Sequence, residues 1–212
     1  MNKNPTELLE GAYGLENEQD NIAYYKGFAN HYDDGFADAM GYNSPNALAK
    51  VFHQLSTNQD IPVADIGCGT GLAALALGLP KGSIDGYDLS PEMLDKAREK
   101  QLYRTLYSAN LKQPLTAYPN DYGALISAGT FTLGHLGPED LGNLLAFVRS
   151  NGLVCVTVNA AHFKEQGFAA YLDTLQKTGK IMPPQIHTVP IYTKNTHEYA
   201  ADTAHILSFR KA

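Results

Sequence analysis

From about residue 60 to the end of the chain, short β-type runs alternate with segments whose apolar residues recur at helical spacing. This alternation is typical of an α/β protein with a mostly parallel sheet and helices on both faces. The predicted strands are residues 63–67, 83–88, 105–109, 123–128, 153–159, 186–192 and 205–210.

The predicted helices of this region cover residues 71–79, 91–101, 138–149 and 167–178. Ser90-Pro91-Glu92 is a strong helix start, with a capping hydroxyl, a proline at the first helical position and an acid that complements the helix dipole. Only a polar linker, residues 194–202, separates the last two strands, and it has no helix-length apolar pattern. These strands should therefore form an antiparallel hairpin at a sheet edge. Two earlier helices are predicted at residues 21–32 and 45–55.

A chain of 212 residues suits one domain. We expect a flexible N-terminus at residues 1–20, a helical lid at 21–58 and a sheet core at 59–212. Cys68 and Cys155 lie in apolar runs that we assign to neighbouring buried strands. We therefore predict free thiols without a catalytic role.

Charge and hydropathy narrow the function classes. The net charge of -6, with scattered Lys and Arg, gives no general attraction to phosphate backbones, so nucleic acid is a weak candidate partner. No stretch approaches the ~20 apolar residues of a membrane span, and the first residues lack the apolar segment of a signal peptide. We expect a cytoplasmic protein that does not bind membranes.

A glycine-rich turn follows the first predicted strand, where residues 63–71 read Val-Ala-Asp-Ile-Gly-Cys-Gly-Thr-Gly. Glycines let a backbone turn sharply and approach a ligand closely. The second strand ends at Asp88, about twenty residues after the glycines, where a carboxylate can accept both hydroxyls of a ribose. The alternative is that Asp88 only begins the loop before Ser90.

The glycine spacing helps to choose the nucleotide. Dinucleotide sites use G-x-G-x-x-G because the helix must begin against a pyrophosphate, whereas this chain has G-x-G-x-G. A methionine-derived ligand carries an amino group and a carboxylate instead of phosphates, so an acid just before the glycines becomes useful. Asp65 lies there, and it either engages that amino group, directly or through water, or only satisfies amides of the turn.

Residues 65–71 resemble the first motif of class I S-adenosylmethionine-dependent methyltransferases, and residues 86–94, Gly-Tyr-Asp-Leu-Ser-Pro-Glu-Met-Leu, resemble their second. Residues 29–33, Ala-Asn-His-Tyr-Asp, are similar to an A-x-x-Y-D segment of the small-molecule branch, and the terminal hairpin is similar to the family's reversed last strand. The resemblance covers residues 24–212. It implies a Rossmann-like seven-stranded sheet, S-adenosylmethionine as cofactor and methyl transfer to a small-molecule acceptor.

By this resemblance, Asn110 and Leu111 stand where the family usually has Asp-Leu at the adenine edge. An amide oxygen can still accept from the adenine amino group, without charge assistance. Leu89 and Met93 would flank the adenine, although Met93 is equally explained as a helix core residue. The residues expected at the cofactor are Tyr25, Tyr32, Asp65, Gly67, Cys68, Gly69, Gly71, Asp88, Leu89, Met93, Ala109, Asn110, Leu111, Ser127 and Ala128.

The fourth strand leads into residues 127–136, where this fold places the sulfonium and the acceptor. This stretch lacks the Asn/Asp-Pro-Pro-Tyr/Phe signature of enzymes that methylate adenine or glutamine amino groups. His135 is the first candidate for a base if the acceptor is a hydroxyl, and a structural role is the alternative. His162 and His31 are further candidates. No His, Cys or acidic set has metal-ligand spacing, so no metal is predicted.

Two other functions stay open. A nicotinamide-dependent oxidoreductase could use a similar sheet, although the missing third dinucleotide glycine and the terminal hairpin argue against it. A non-catalytic sensor or partner subunit would keep the cofactor motifs without transferring a methyl group. The acceptor has no recognisable motif, and the negative net charge favours small, neutral or cationic molecules.

Overall fold

The computed structural model describes residues 11, 24, 29, 32–113, 118–195 and 197–212. Its strands are β1 (Val63–Ile66), β2 (Ile84–Asp88), β3 (Thr105–Ser108), β4 (Tyr122–Phe131), β5 (Val148–Asn159), β6 (Gln185–Pro190) and β7 (Thr203–Arg210). They form one sheet in the order β3-β2-β1-β4-β5-β7-β6. Only β7 is antiparallel to its neighbours in this sheet, β5 and β6. The predicted fold and its terminal hairpin are confirmed.

The helices are α1 (Asp38–Met40), α2 (Ser44–Leu55), α3 (Leu72–Leu77), α4 (Pro91–Glu99), α5 (Pro138–Leu144), α6 (Ala160–Glu165) and α7 (Phe168–Lys177). A π-helical turn, Tyr32–Ala37, runs directly into α1, and we call residues 32–40 the cover segment. Helix α4 begins as predicted, because the Ser90 side chain accepts a hydrogen bond from the Met93 amide.

Two hydrophobic cores lie on opposite faces of the sheet, because successive side chains of a strand point to opposite sides. Ala64 and Ile66 of β1 face the core that α5 and α7 complete, whereas Val63 faces α2 and α3. All four residues of β1 are buried. Burial on both faces explains the near-continuous apolar runs of the central strands.

The strand order places a crevice at the carboxyl ends of β1 and β4. From β1 the chain builds outward through β2 to β3, and it then returns to place β4 on the other side of β1. Connections diverge at this point, so the loops that follow the two strands leave a gap between them. Such switch points are the usual ligand sites of open α/β sheets.

The structure corrects three details of the sequence prediction. The predicted helix 138–149 is wrong at its end, because Val148 pairs with Tyr122 in the sheet and buries a β-branched side chain there. Helix α6 was missed, since six residues are too few to display helical periodicity. The assignment of the cysteines to neighbouring strands is also wrong: Cys68 lies in the turn after β1, and β4 separates β1 from the strand of Cys155. Both thiols are free and buried, as predicted.

Before the sheet, α2 confirms the predicted helix at 45–55. The predicted helix at 21–32 and the segment 1–20 lie outside the described residues, except for positions 11, 24, 29 and 32. In the cover segment, Phe36 and Met40 pack against Ile191 and Tyr192, directly after β6. Every helix within the described ranges is too short or too polar to span a bilayer.

Candidate active site

The turn between β1 and α3 brings backbone amides to the carboxyl edge of the sheet. The amides of Gly67 and Cys68 donate to the Tyr87 carbonyl at 2.8 and 3.0 Å, which anchors the turn to β2. Gly69 has a φ of 52°, in the left-handed region that favours glycine. A Cβ added to Gly69 would meet no atom within 4 Å. The turn therefore presents its backbone to open space, where a ligand can approach it closely.

Asp88 ends β2 with its carboxylate fixed beside this turn. Its Oδ2 accepts from the Gly69 amide at 2.8 Å, and its Oδ1 accepts from the Ser90 amide at 2.9 Å. Burial raises the pKa of Asp88 above its usual value, against the lowering effect of these hydrogen bonds. A carboxylate offers about four lone-pair sites, so acceptor capacity is left for ligand hydroxyls.

Asp65 lies behind the turn and not on the cavity wall. Its side chain is fully buried, and Oδ2 accepts from the Tyr103 hydroxyl at 2.7 Å. In the described part of the chain, Oδ1 has no hydrogen-bond partner. Burial raises the pKa of Asp65 to about 7, opposed by the Tyr103 hydrogen bond and reinforced by the charge of Asp88. An unpartnered buried oxygen of this kind fits an amino group or a water that donates to it.

Tyr103 is a site residue that the sequence analysis missed. Its ring lies against two glycines, because a Cβ on Gly71 or on Gly86 would come within 3.1 or 2.9 Å of ring carbons. Gly86 lies in the middle of β2, and a glycine inside a strand is the one local signal that a large side chain approaches there.

A cavity of about 270 Å³ opens between the glycine turn, the end of β2 and the loop after β4. It also reaches the loop after β3 and the first residue of the cover segment. The lining residues are Tyr32, Gly67, Gly69, Asp88, Leu89, Ser90, Met93, Asn110, Leu111, Lys112, Gln113, Ala128, Gly129, Thr130, Gly134, His135 and Leu136.

Most residues predicted at the site line this cavity, and the structure adds lining residues from the loops after β3 and β4. Cys68, Gly71, Ala109 and Ser127 are predicted residues that lie behind the wall, as Asp65 does. The Ser127 hydroxyl, for example, donates to the Ile66 carbonyl at 2.7 Å. Tyr25 and His31 lie outside the described residues.

The wall near β2 and β3 combines apolar and polar side chains. Met93 is buried in the packing of α4, as expected of a helix core residue, and it also lines the cavity, so its contact with adenine stays a prediction. Leu89 and Leu111 add further apolar surface. The Asn110 Oδ1 accepts from the Lys112 amide at 3.0 Å, which fixes the side-chain amide at the cavity edge.

His135 lies at the other end, in the loop after β4. Its Nδ1 donates to the Leu133 carbonyl at 3.0 Å, so the ring proton is held on Nδ1 and Nε2 is the basic nitrogen. Burial lowers the pKa of His135, opposed by the Leu133 hydrogen bond and reinforced by the charge of Lys112. The ring is therefore neutral at pH 7.

Residues 63–152 match a family described as methyltransferase domain. The demethylmenaquinone methyltransferase of Chlorobaculum tepidum is 37% identical over 87 residues, which are 41% of this chain and 35% of that protein. The malonyl-[acyl-carrier protein] O-methyltransferase of Legionella pneumophila is 35% identical over 95 residues, or 42% and 33% of the two chains. This chain thus spans about a third of the length of these curated relatives.

A solved structure extends the likeness to the whole fold. The TehB-like S-adenosylmethionine-dependent methyltransferase of Corynebacterium glutamicum superposes with a TM-score of 0.60 at 17% identity, covering 90% of this chain and 99% of that one. The chain therefore shares the fold of this S-adenosylmethionine-dependent methyltransferase, and its residues 63–152 match the methyltransferase domain family.

The residues of the cavity fit S-adenosylmethionine. The Asp88 carboxylate is fixed and has acceptor capacity of the kind that ribose hydroxyls require, Gly69 leaves room for close backbone approach, and Leu89 and Met93 present an apolar surface. The unpartnered Oδ1 of Asp65 is available to an amino group, directly or through water.

Other histidines of the chain lie elsewhere in the fold. His162 lies in the first turn of α6 and is buried, with Nε2 donating to the Leu136 carbonyl at 2.9 Å, so it supports the loop after β4. His187 and His205 lie in the terminal hairpin, on β6 and β7. Among the described residues, no group of three or more His, Cys, Asp or Glu side chains could hold a metal ion.

Proposed function

We propose that this protein binds S-adenosylmethionine in the cavity and transfers its methyl group to a small-molecule acceptor. The proposal is carried by one observation: Asp88, the open backbone of Gly69 and the neutral His135 all border the same cavity. Ligand pockets of this kind are concave and mostly apolar, with a few polar groups that fix orientation.

S-adenosylmethionine supplies an activated methyl group on a sulfonium, so the protein mainly positions two reactants and excludes water. In this proposal Asp88 accepts hydrogen bonds from the ribose hydroxyls, and Leu89, Met93 and Leu111 cover the adenine. Ala128 and Gly129 carry little or no side chain, which leaves room for the acceptor beside the loop after β4.

His135 is the proposed base for a hydroxyl acceptor. Its Nε2 would accept the hydroxyl proton while the acceptor oxygen bonds to the methyl carbon and the bond from that carbon to the sulfonium sulfur breaks, which would release S-adenosylhomocysteine. The Leu133 carbonyl supports this role, because it holds the other ring proton on Nδ1 and orients the ring. A neutral ring at pH 7 is the form that accepts a proton.

The acceptor is proposed to be small, and no nucleic acid is involved. The names of the two curated relatives, a demethylmenaquinone and a malonyl-[acyl-carrier protein] methyltransferase, suggest two chemistries to include among candidate acceptors.

We also propose a lid at residues 21–58 over a core at 59–212, and a cytoplasmic location.

A thermal stability screen against S-adenosylmethionine, S-adenosylhomocysteine and NAD tests cofactor binding. A ligand that binds only the native state at about a hundred times its Kd adds about 2.7 kcal/mol, which raises the Tm by roughly 5 to 10 °C for a domain of this size. We expect that shift with both adenosyl compounds. A shift with NAD alone would instead support the oxidoreductase.

Transfer assays over a metabolite panel then test catalysis. The panel includes hydroxyl, amine, carboxylate and quinol acceptors, with methyl transfer followed by mass spectrometry. We expect turnover with at least one acceptor. Tight cofactor binding without transfer to any acceptor or to cell extract would support the non-catalytic alternative.

A further inference from the structure

We propose that Asp33 is a positioning residue that fixes the cover segment to the glycine turn and so holds Tyr32 at the cavity. The inference rests on the proposed function, because it makes cofactor affinity depend on this link. Asp33 does not line the cavity itself. It acts through Tyr32, the residue before it, and through Thr70, the residue after Gly69.

The Asp33 carboxylate joins three elements. Its Oδ1 accepts from the Thr70 hydroxyl at 2.5 Å, and its Oδ2 accepts from Lys100 Nζ at 2.6 Å. The same Lys100 ammonium donates to the Thr70 carbonyl at 2.6 Å. Thr70 lies in the glycine turn and Lys100 follows α4, so one carboxylate connects the cover segment to both.

These bonds give the glycine turn a further attachment besides the one to Asp88. The Gly69 amide donates to Asp88, while Thr70, the next residue, is bound by Asp33 and Lys100. The backbone of Gly69 borders the cavity between these two attachments. Loss of Asp33 removes one attachment, so the turn gains freedom that a bound ligand must then remove.

The link also fixes the position of Tyr32, which directly precedes Asp33 and lines the cavity. On the other side of the cover segment, Phe36 and Met40 pack on Ile191, and Lys194 Nζ donates to the Asp38 carbonyl. The cover segment is thus held at both ends, by an apolar contact with the hairpin and by Asp33. Of these two attachments, the one through Asp33 reaches the glycine turn.

Solvent screening is weaker at the Asp33–Lys100 pair than at the exposed Asp95–Arg98 pair on α4. The side chains of Lys100 and Asp33 are 20% and 33% exposed, whereas those of Asp95 and Arg98 are 69% and 63% exposed. Exposed pairs contribute little to stability, and partly buried pairs that also bond to neutral groups contribute more. Asp95 and Lys96 therefore offer matched controls on the same helix.

The test measures S-adenosylhomocysteine affinity by calorimetry in the full-length protein. We expect Asp33→Ala and Lys100→Met each to weaken binding by about tenfold, and the double variant to be little weaker than the single ones, because the two groups act as one unit. Lys100→Arg keeps the cation and should restore affinity to within about threefold. The controls Asp95→Ala and Lys96→Met should bind like the wild type.

A second measurement follows hydrogen exchange at amides of residues 32–40 and at Thr70 in the ligand-free protein. We expect faster exchange in Asp33→Ala, with unchanged exchange in the central strands. Asp33→Asn, which keeps the side-chain shape and the Thr70 bond, serves if the alanine variant does not fold. Its affinity should fall by about threefold or more.

The outcomes separate the inference from the proposed function. If the wild type binds S-adenosylhomocysteine and Asp33→Ala binds it equally well, the inference is wrong and the function stands. If the wild type binds no adenosyl ligand, the proposed function is wrong, and the exchange rates alone decide whether Asp33 anchors the segment. Additive losses in the double variant, or a loss that Lys100→Arg does not repair, would also contradict the inference.

Discussion

Asp88 is the residue whose replacement most directly tests the cofactor site. Asp88→Ala should weaken S-adenosylhomocysteine binding by about tenfold or more, because charge-assisted bonds to the ribose are lost. The substitution also removes the hydrogen bond that the Gly69 amide donates to Asp88. Isothermal titration calorimetry measures this change directly.

Asp95→Ala is the matched control for that experiment, since Asp95 is an exposed carboxylate on the adjoining helix and pairs with Arg98. It should bind the ligand like the wild type. Unchanged affinity in Asp88→Ala, with a native-like ligand-free Tm, would exclude the ribose role.

The prediction for His135 concerns the rate of methyl transfer rather than the affinity for the cofactor. His135→Ala should leave S-adenosylhomocysteine affinity within about twofold of the wild type and slow transfer to a hydroxyl acceptor by about a hundredfold or more. His187→Ala, at an exposed position of β6, is the control. Equal turnover in the His135 variant and the wild type would show that His135 is not the base.

The pH profile of transfer gives His135 a further signature. Burial lowers the pKa of His135 from an ordinary value of 6.5, so the neutral, basic form persists to lower pH than in a free histidine. The rate with a hydroxyl acceptor should therefore be constant near neutral pH and fall on acidification, with an inflection below 6.5. That inflection should disappear in His135→Gln.

Asp88, Gly69 and His135 could be predicted because each lies within a few residues of a strand end, and parallel strand ends share one edge of the sheet. Tyr103 and the Asp33 link could not. Tyr103 bonds to a residue 38 positions away, and Lys100 bonds to one 67 positions away. No local pattern encodes such contacts, which depend on how whole elements pack.

At the scale of elements, a buried ion pair joins the last strand to the loop before the first. Arg210 of β7 binds both carboxylate oxygens of Asp60, at 2.8 and 3.1 Å, and Thr57 donates two more hydrogen bonds to Oδ2. The Asp60 side chain is only 3% exposed. Asp60→Asn should lower the free energy of unfolding by about 2 kcal/mol, measured by urea denaturation.

Burial raises the pKa of Asp60, but hydrogen bonds from Arg210 and Thr57 bring it below the ordinary 3.8. This stabilisation is therefore present above the unfolded pKa and is lost as the pH falls through the lower folded value. Asp173→Asn, which breaks the exposed pair with Lys177, should cost less than about 0.5 kcal/mol. Equal effects of the two substitutions would contradict the importance of burial at Asp60.

The elements themselves were predictable where the local pattern and the packing agree. Helix α4 has its cap, its proline and its apolar face in sequence, and the structure confirms all three. The end of α5 was wrong because Val148 has helical neighbours in sequence but a strand partner, Tyr122, in space. Sheet pairing outweighed local propensity there.

At the scale of the whole molecule, alternation of strands and helices determined the fold class, because right-handed crossovers leave few ways to place them. The position of the cover segment did not follow from it. Phe36 and Met40 pack against residues about 150 positions later, and nothing near them in sequence indicates that partner. Residues that close over a site are therefore harder to predict than those on strand ends.

The pH dependence of stability should carry a signature of Asp65. The pKa of this buried carboxyl is raised from 3.8 to about 7, so the folded state keeps a proton that the unfolded state has lost. The resulting stabilisation is complete below the unfolded pKa and is lost as the pH rises through about 7. Between about pH 5 and 6, Asp65 should lower the free energy of unfolding by about 1.4 kcal/mol per pH unit.

Comparison with Asp65→Asn isolates this effect, because Asp88 contributes in the same direction and the lowered pKa values of His135 and His205 contribute in the opposite one. We expect the difference in the free energy of unfolding between the two proteins to vary with pH below about 7. It should become independent of pH at about pH 8, where Asp65 is ionised. If Asp65 meets the amino group of the cofactor, S-adenosylhomocysteine affinity should rise with pH over the same range in the wild type. Since Asn cannot ionise, that part of the rise should be absent in Asp65→Asn, and an identical rise in both proteins would place the amino group elsewhere.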